Sequence, residues 1–133
     1  MKSLKLWIDD LRPAPSGYIW VKSVNEAKYR ISYAETMYWA LCMDEKFKSD
    51  ETLKLGGETR EIIKEKKNLY QIELIDLDHD AGDYASDGGD YIKLLDWMEE
   101  TGRNYPVRFH TANPVGRANM ELIAKKNGWK IVY

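Results

Sequence analysis

The sequence predicts an α/β domain built on a mostly parallel sheet covered by helices on both faces. Three observations carry this. Short apolar runs that stop abruptly at polar residues recur along the chain, helical patterns alternate with them, and 133 residues suffice for one ordinary domain but not for a second core. Hydrophobic residues make up 44% and charged residues 32%, the balance of a soluble folded chain. A chain of this length buries roughly two-thirds of the surface its unfolded form exposes, so neither a metal nor a disulfide is needed to hold it together. Any metal would serve chemistry.

Leu4 to Ile8 reads as a buried strand that delivers Asp9-Asp10 to a surface. Arg12-Pro13-Ala14-Pro15-Ser16-Gly17 is a loop, since its prolines and glycine suit neither strand nor helix. Tyr18 to Lys22 predicts a second strand. Ser23 with Glu26 is a capping-box pair, and Ala27, Ile31 and Ala34 continue it as a helix. From about Thr36 to Asn68 the chain is charge-rich, helical in propensity and interrupted at Gly56-Gly57, which predicts an inserted helical hairpin or lid. Gln71 to Leu77 is a third strand, running into Asp78-His79-Asp80. Asp87 is expected to cap a helix from Gly88 to about Thr101, closed by Gly102. Val107 to Phe109 is a fourth strand ending in His110-Thr111-Ala112. Asn113-Pro114 then caps and starts a helix to about Lys126, which Asn127-Gly128 ends before a last strand, Trp129 to Val132.

A formal charge of −2 argues against a general phosphate-backbone binder, and no broad nucleic-acid-binding surface is evident. The single cysteine, Cys42, has no internal disulfide partner, the first residues lack the apolar run of a signal peptide, and no stretch reaches transmembrane length. Cytoplasmic residence without a membrane partner is expected. Trp7, Trp20 and Trp97 are expected in or near the core, with Tyr38 and Trp39 holding the insertion against the body. Lys64 to Lys67 reads as a solvated helical face.

Ligands of open parallel sheets bind beyond the carboxyl ends of the strands. Three strands end there in reactive residues: Asp9 and Asp10, then Asp78, His79 and Asp80, then His110 and Thr111. Carboxylates gathered at one edge repel one another, and a divalent cation resolves the conflict. Oxygen ligands from Asp9, Asp10, Asp78 and Asp80 favour Mg²⁺ or Mn²⁺. Asp76-x-Asp78-x-Asp80 also resembles the start of a calcium loop, but Ala81 stands where glycine is required and Asp87 where the bidentate glutamate would be. His79 and His110 suit proton transfer near neutral pH. The helix begun at Asn113-Pro114 turns a positive end toward this edge, and Arg12 and Arg117 could join it in holding a phosphate.

Together these residues resemble the receiver fold of two-component response regulators, with an acidic pair after the first strand, an aspartate after the third and Thr-Ala after the fourth. More closely, Leu6-Trp7-Ile8-Asp9-Asp10-x-Arg12-Pro13-Ala14-Pro15, Leu77-Asp78-His79-Asp80 and His110-Thr111-Ala112-Asn113-Pro114-Val115-Gly116-Arg117 look like the cyclic-phosphate processing receiver-like family. The match spans most of the chain outside the insertion at about 36 to 68. It implies a flavodoxin-like three-layer sandwich with a five-stranded sheet of order 2-1-3-4-5. It also implies metal-assisted, phosphoesterase-type processing of cyclic phosphates on nucleotides or RNA ends. By motif, Asp9, Asp10 and Asp78 take the acidic positions beside Asp80, and Asp76 is the competing choice for the receiver aspartate. Catalytic roles fall to His79, His110 and Asp78, and phosphate-binding roles to Arg12, Thr111, Asn113 and Arg117. A phosphoacceptor receiver carries a lysine just after the fifth strand, whereas Lys130 lies at that strand's beginning. The alternatives are such a signalling receiver and a non-catalytic nucleotide- or protein-binding module.

Overall fold

The computed structural model describes residues 3–48 and 64–133. Four parallel strands, β1 (Leu4–Ile8), β2 (Ile19–Val21), β3 (Ile72–Leu77) and β4 (Val107–Phe109), form one sheet of order β2-β1-β3-β4. Three longer helices are described, α1 (Val24–Lys48), α2 (Ile92–Glu100) and α3 (Pro114–Asn127), with a short 3-10 turn at Gly82–Ser86.

The predicted fifth strand is a single bridge, Ile131 to Val107. Its limits are set by α3. Gly128 adopts a left-handed φ of 69°, and the Gly128 and Trp129 amides donate back to Lys125 and Ala124 of the helix. That bond removes the Trp129 N–H from any ladder, and only Lys130 and Val132 remain to flank Val107 with one hydrogen bond each.

The expectation of helices on both faces also needs correction. α1, α2 and α3 each carry the chain across the sheet in the same direction, so right-handed crossovers put all three on one side. α2 packs against both α1 and α3. Ile31, Leu94, Leu95, Met98 and Met120 share one core with Leu6, Ile8, Ile75, Leu77 and Phe109 of the strands. The reverse connection, from β1 to β2, is a loop, because Pro13 and Pro15 deny residues 9–18 a helix. Among the described residues the opposite face carries no helix. Leu74, buried but outside the main core, belongs to that face.

Ser23 caps α1 as its spacing predicts, its Oγ accepting the Glu26 N–H at 3.0 Å. The helix then continues without a break through Thr36 to Lys48, so the insertion begins as an extension of α1. Residues 64–68 are helical again, with Lys64 and Lys66 exposed, and the Gly56-Gly57 interruption lies outside the described residues. Trp39 is 66% exposed on α1, where the insertion was expected to be anchored.

Asp87 does not cap the following helix. Its carboxylate accepts from Ser23 Oγ at 2.6 Å and Asn25 Nδ2 at 3.0 Å, tying the turn to the start of α1. These two bonds hold its carboxyl below the usual range. Gly88 and Gly89 have φ of 108° and 92°, which no helix accommodates, and α2 starts only at Ile92. A Cβ on Gly88 would meet Val24 Cβ at 2.9 Å and the Asn25 backbone nitrogen at 3.1 Å. Gly88→Ala should therefore destabilise the protein by about 2 kcal/mol or more in urea unfolding, through strain and overpacking together.

No helix among the described residues is long and apolar enough to cross a membrane.

Candidate functional site

The sheet register builds the site. Trp7 of β1 stands level with Asp76 of β3, and Asp76 with Arg108 of β4. Registered partners in a parallel sheet face the same way, and the pleat returns to that face after two residues. Asp9, Asp78 and His110 therefore follow as the next row, just past the strand ends. The Asp9, Asp78 and His110 N–H groups extend the ladder one bond beyond the strands, donating to Val21, Ile8 and Leu77 respectively.

One ligand atom each from Asp9, Asp78 and His110 lies within 4.8 Å of the others. Asp9 is 1% exposed. Its Oδ1 accepts the Leu11 and Arg12 amides at 2.9 Å each, and its Oδ2 faces His110 Nε2 at 2.9 Å. Burial pushes its carboxyl up, but the two amides and the imidazole together hold it below the ordinary value. The other ring nitrogen of His110, Nδ1, meets Asp76 Oδ1 at 2.7 Å. Asp76 is wholly buried, and its Oδ2 has no hydrogen-bond partner; the nearest cation is Arg108 Nη1 at 4.0 Å. His110 is thus held between two carboxylates, with the indole of Trp7 stacked on its ring at 3.7 Å and 3°. Sequence reasoning placed Trp7 and Trp20 with the core. They lie instead on the open face, and Trp20 Nε1 donates to the Asp9 carbonyl at 2.7 Å.

Asp10 reaches the same edge from the other side of the chain. Its Oδ2 lies over Gly82, where a Cβ would come within 2.3 Å, and Gly82 adopts φ 55°. Burial raises its carboxyl, and the nearby charges of Asp9, Asp78 and Asp83 raise it further against one opposing backbone bond. The phenol of Tyr91, buried beneath and donating to the Lys22 carbonyl at 2.7 Å, is pushed up by burial and by Asp10, Asp9 and Asp78. A cluster of carboxylates that repel one another, with an imidazole among them, fits a divalent cation.

Other residues singled out in the sequence fall around this centre. Asp80 is exposed and bonds His79 Nδ1 at 2.9 Å, outside the Asp9–Asp78–His110 group. The His79 ring packs on Gly116 of α3, where a Cβ would sit 2.5 Å from two ring atoms. Asn113 caps α3, its Oδ1 accepting the Gly116 N–H at 3.0 Å, and Thr111 Oγ1 accepts the Asn113 N–H at 3.1 Å. With Pro114 lacking an N–H and the Arg117 amide bonded to Asn113, the first turn keeps few free amides for an anion. Arg12 donates from Nη1 to the His110 carbonyl at 3.2 Å, and Arg117 from Nη2 to the Phe109 carbonyl at 2.6 Å. Arg117 also lines a cleft of about 180 Å³ with Arg108, His110 and Tyr133.

Asp83, Gly82 and Gly116 adjoin the site without having been assigned to it, and Asp76, the competing choice for the receiver aspartate, enters it as the partner of His110 Nδ1. For Asp76 the signal was its two-residue spacing from Asp78 on a strand, which puts both on one face. The glycines gave none, because a lone glycine does not reveal which side chain needs its space.

No curated protein and no solved structure matches the chain. The family model described as the cyclic-phosphate processing receiver domain matches it over residues 4–67 and 41–126, and so takes in every strand and nearly all of the three helices. With its parallel sheet and an acidic edge at the motif positions, the chain belongs to the cyclic-phosphate processing receiver domain family.

Proposed function

We propose that the chain is a divalent-cation-assisted phosphoesterase acting on cyclic phosphates of nucleotides or RNA ends. The observation that carries this is the convergence of Asp9, Asp78 and His110 donor atoms within 4.8 Å at the carboxyl edge of the sheet. These three would hold the cation, with Asp10 beside them. An imidazole among the oxygen donors favours Mn²⁺ over Mg²⁺. When bound, the cation supplies charge stabilisation at the phosphate and a more acidic water.

The side chains then divide the remaining work. Arg12 and Arg117, each anchored on a backbone carbonyl next to the cluster, offer their other donors to the phosphate. With a cation in place of the His110 Nε2–Asp9 hydrogen bond and Nδ1 kept by Asp76, both nitrogens of His110 are committed, so proton transfer falls to His79, whose Nδ1 meets Asp80 at 2.9 Å. Phosphorus NMR of the purified protein with 2′,3′-cyclic nucleotides, in Mn²⁺, Mg²⁺ or chelator, tests the reading. Cation-dependent ring opening is expected; no conversion with any cation would remove it.

A second reading, phosphoryl transfer to Asp78, draws on the position of Asp78 just past β3, one ladder bond beyond Ile8 and level with Asp9. It predicts a one-phosphoryl mass gain with acetyl phosphate, which the esterase reading does not.

A further inference from the structure

The row of residues just past the strand ends continues beyond Asp9 onto β2. Ile8 of β1 registers with Val21 of β2, and the Asp9 N–H donates to the Val21 carbonyl at 3.1 Å, so Lys22 follows level with Asp9. Trp7 and Trp20, two residues earlier on each strand, are registered on the open face, and the pleat returns Asp9 and Lys22 to it. Across the carboxyl edge the row therefore reads Lys22, Asp9, Asp78, His110. The Lys22 ammonium is held by rings rather than by acids. Its Nζ lies 4.5 Å from the Trp20 ring and 5.9 Å from the ring of Tyr84, which stands on the Gly82–Ser86 turn next to Asp83. Trp20 Nε1 is itself fixed on the Asp9 carbonyl at 2.7 Å, and the Lys22 carbonyl accepts the Tyr91 phenol at 2.7 Å. No carboxylate of the described residues is paired with Lys22, although Asp9, Asp10, Asp78 and Asp83 gather at this edge. The arginines nearby are already engaged. Arg12 Nε lies 3.7 Å from Asp9, Arg108 Nη1 lies 4.0 Å from Asp76, and Arg117 donates to the Phe109 carbonyl.

We propose that Lys22 is a phosphate-contacting residue of the acidic edge, its ammonium donating from the β2 side to a phosphoryl oxygen of the substrate bound at the Asp9–Asp78–His110 cluster. The proposal rests on the phosphoesterase reading for the identity of that substrate and adds to the site a residue from the fourth strand. A phosphate approaching a group of carboxylates is repelled wherever no positive charge stands between them. An ammonium with three donors and no ion pair to give up meets that phosphate without loosening an existing contact. Trp20 and Tyr84 hold the charge at the rim of the cluster without cancelling it. A purely structural role, covering Trp20 with the aliphatic stem, needs the stem and not the charge.

The test is a calorimetric titration of the whole chain, in Mn²⁺, with uridine 2′- and 3′-monophosphates, alongside the steady-state kinetics of opening uridine 2′,3′-cyclic phosphate. Lys22→Met keeps an apolar stem over Trp20 and removes the charge, whereas Lys22→Arg keeps the charge. Lys22→Met should bind the monophosphates about tenfold or more weakly, the scale of one hydrogen bond to a charged group, and raise KM more than it lowers kcat. Lys22→Arg should restore most of that loss. Stabilisation by Mn²⁺ in thermal melts should be the same in all three proteins. If Lys22→Met does not keep the wild-type circular dichroism spectrum, Lys22→Gln takes its place. Monophosphate affinity unchanged without the Lys22 charge overturns the proposal, whether or not cyclic phosphates are opened. A loss of Mn²⁺ stabilisation in step with the loss of affinity would make Lys22 a support of the cation cluster and overturn it as well. Lys22-dependent binding of the monophosphates without any ring opening keeps the contact and removes the esterase reading.

Discussion

Asp76→Ala should destabilise the protein by about 1–3 kcal/mol, the usual penalty for leaving a buried hydrogen-bonding group without its partner. Asp76 is wholly buried and holds His110 Nδ1 at 2.7 Å, while Asp9 holds Nε2 at 2.9 Å. Without the Asp76 carboxylate the imidazole keeps one acceptor and loses the other at a ring that is only 8% exposed and covered on one face by Trp7. Asp76→Asn retains an acceptor of the same shape and should lose clearly less. Urea unfolding at neutral pH measures both, and a double-mutant cycle with His110→Ala isolates the pair. An Asp76→Ala variant within 0.5 kcal/mol of wild type would mean that the network has no structural role.

The same residue shows how far the sequence could be read. Strands β1, β3 and β4, the Ser23 and Asn113 caps and the acidic strand ends were legible, because hydrophobic runs and capping chemistry are local. The identities of Asp9, Asp78 and His110 as candidate residues were legible too. Their partners were not. Which aspartate meets which face of His110 depends on register across strands more than thirty residues apart, and no local pattern encodes that. The face of the sheet was misread for a related reason. An intermediate tryptophan in an apolar run such as Leu6-Trp7-Ile8 looks like core, and only the one-sided crossover of all three helices shows that Trp7 and Trp20 lie on the other side. Asp87 was misassigned because its nearest helix in sequence is α2, whereas its hydrogen-bond partners are on α1, sixty residues away.

The acidic edge carries the other large expected effect, and it runs in opposite directions for folding and function. Burial and the charges of Asp9, Asp78 and Asp83 raise the Asp10 carboxyl in the folded state above its unfolded value. A raised group stabilises the fold below its unfolded pKa, and that contribution is lost as pH rises through the folded pKa; at pH 7 ionised Asp10 therefore adds repulsion. Asp10→Asn should raise stability by about 0.5–2 kcal/mol at pH 7, the usual scale for relieving a strained functional site, and show no gain at pH 3, where wild-type Asp10 is itself protonated. Cation binding relieves the same repulsion. Mn²⁺ at a hundredfold excess over its dissociation constant should stabilise the wild type by about 2.7 kcal/mol. Asp78→Asn should lose that response together with about 100-fold or more of any cation-dependent turnover, since it removes a donor from the cluster itself. Thermal melts of the three proteins with Mn²⁺ or chelator separate the cases. A wild type indifferent to Mn²⁺, or an Asp78→Asn protein as responsive as the wild type, would mean that the three donor atoms converge without serving a cation.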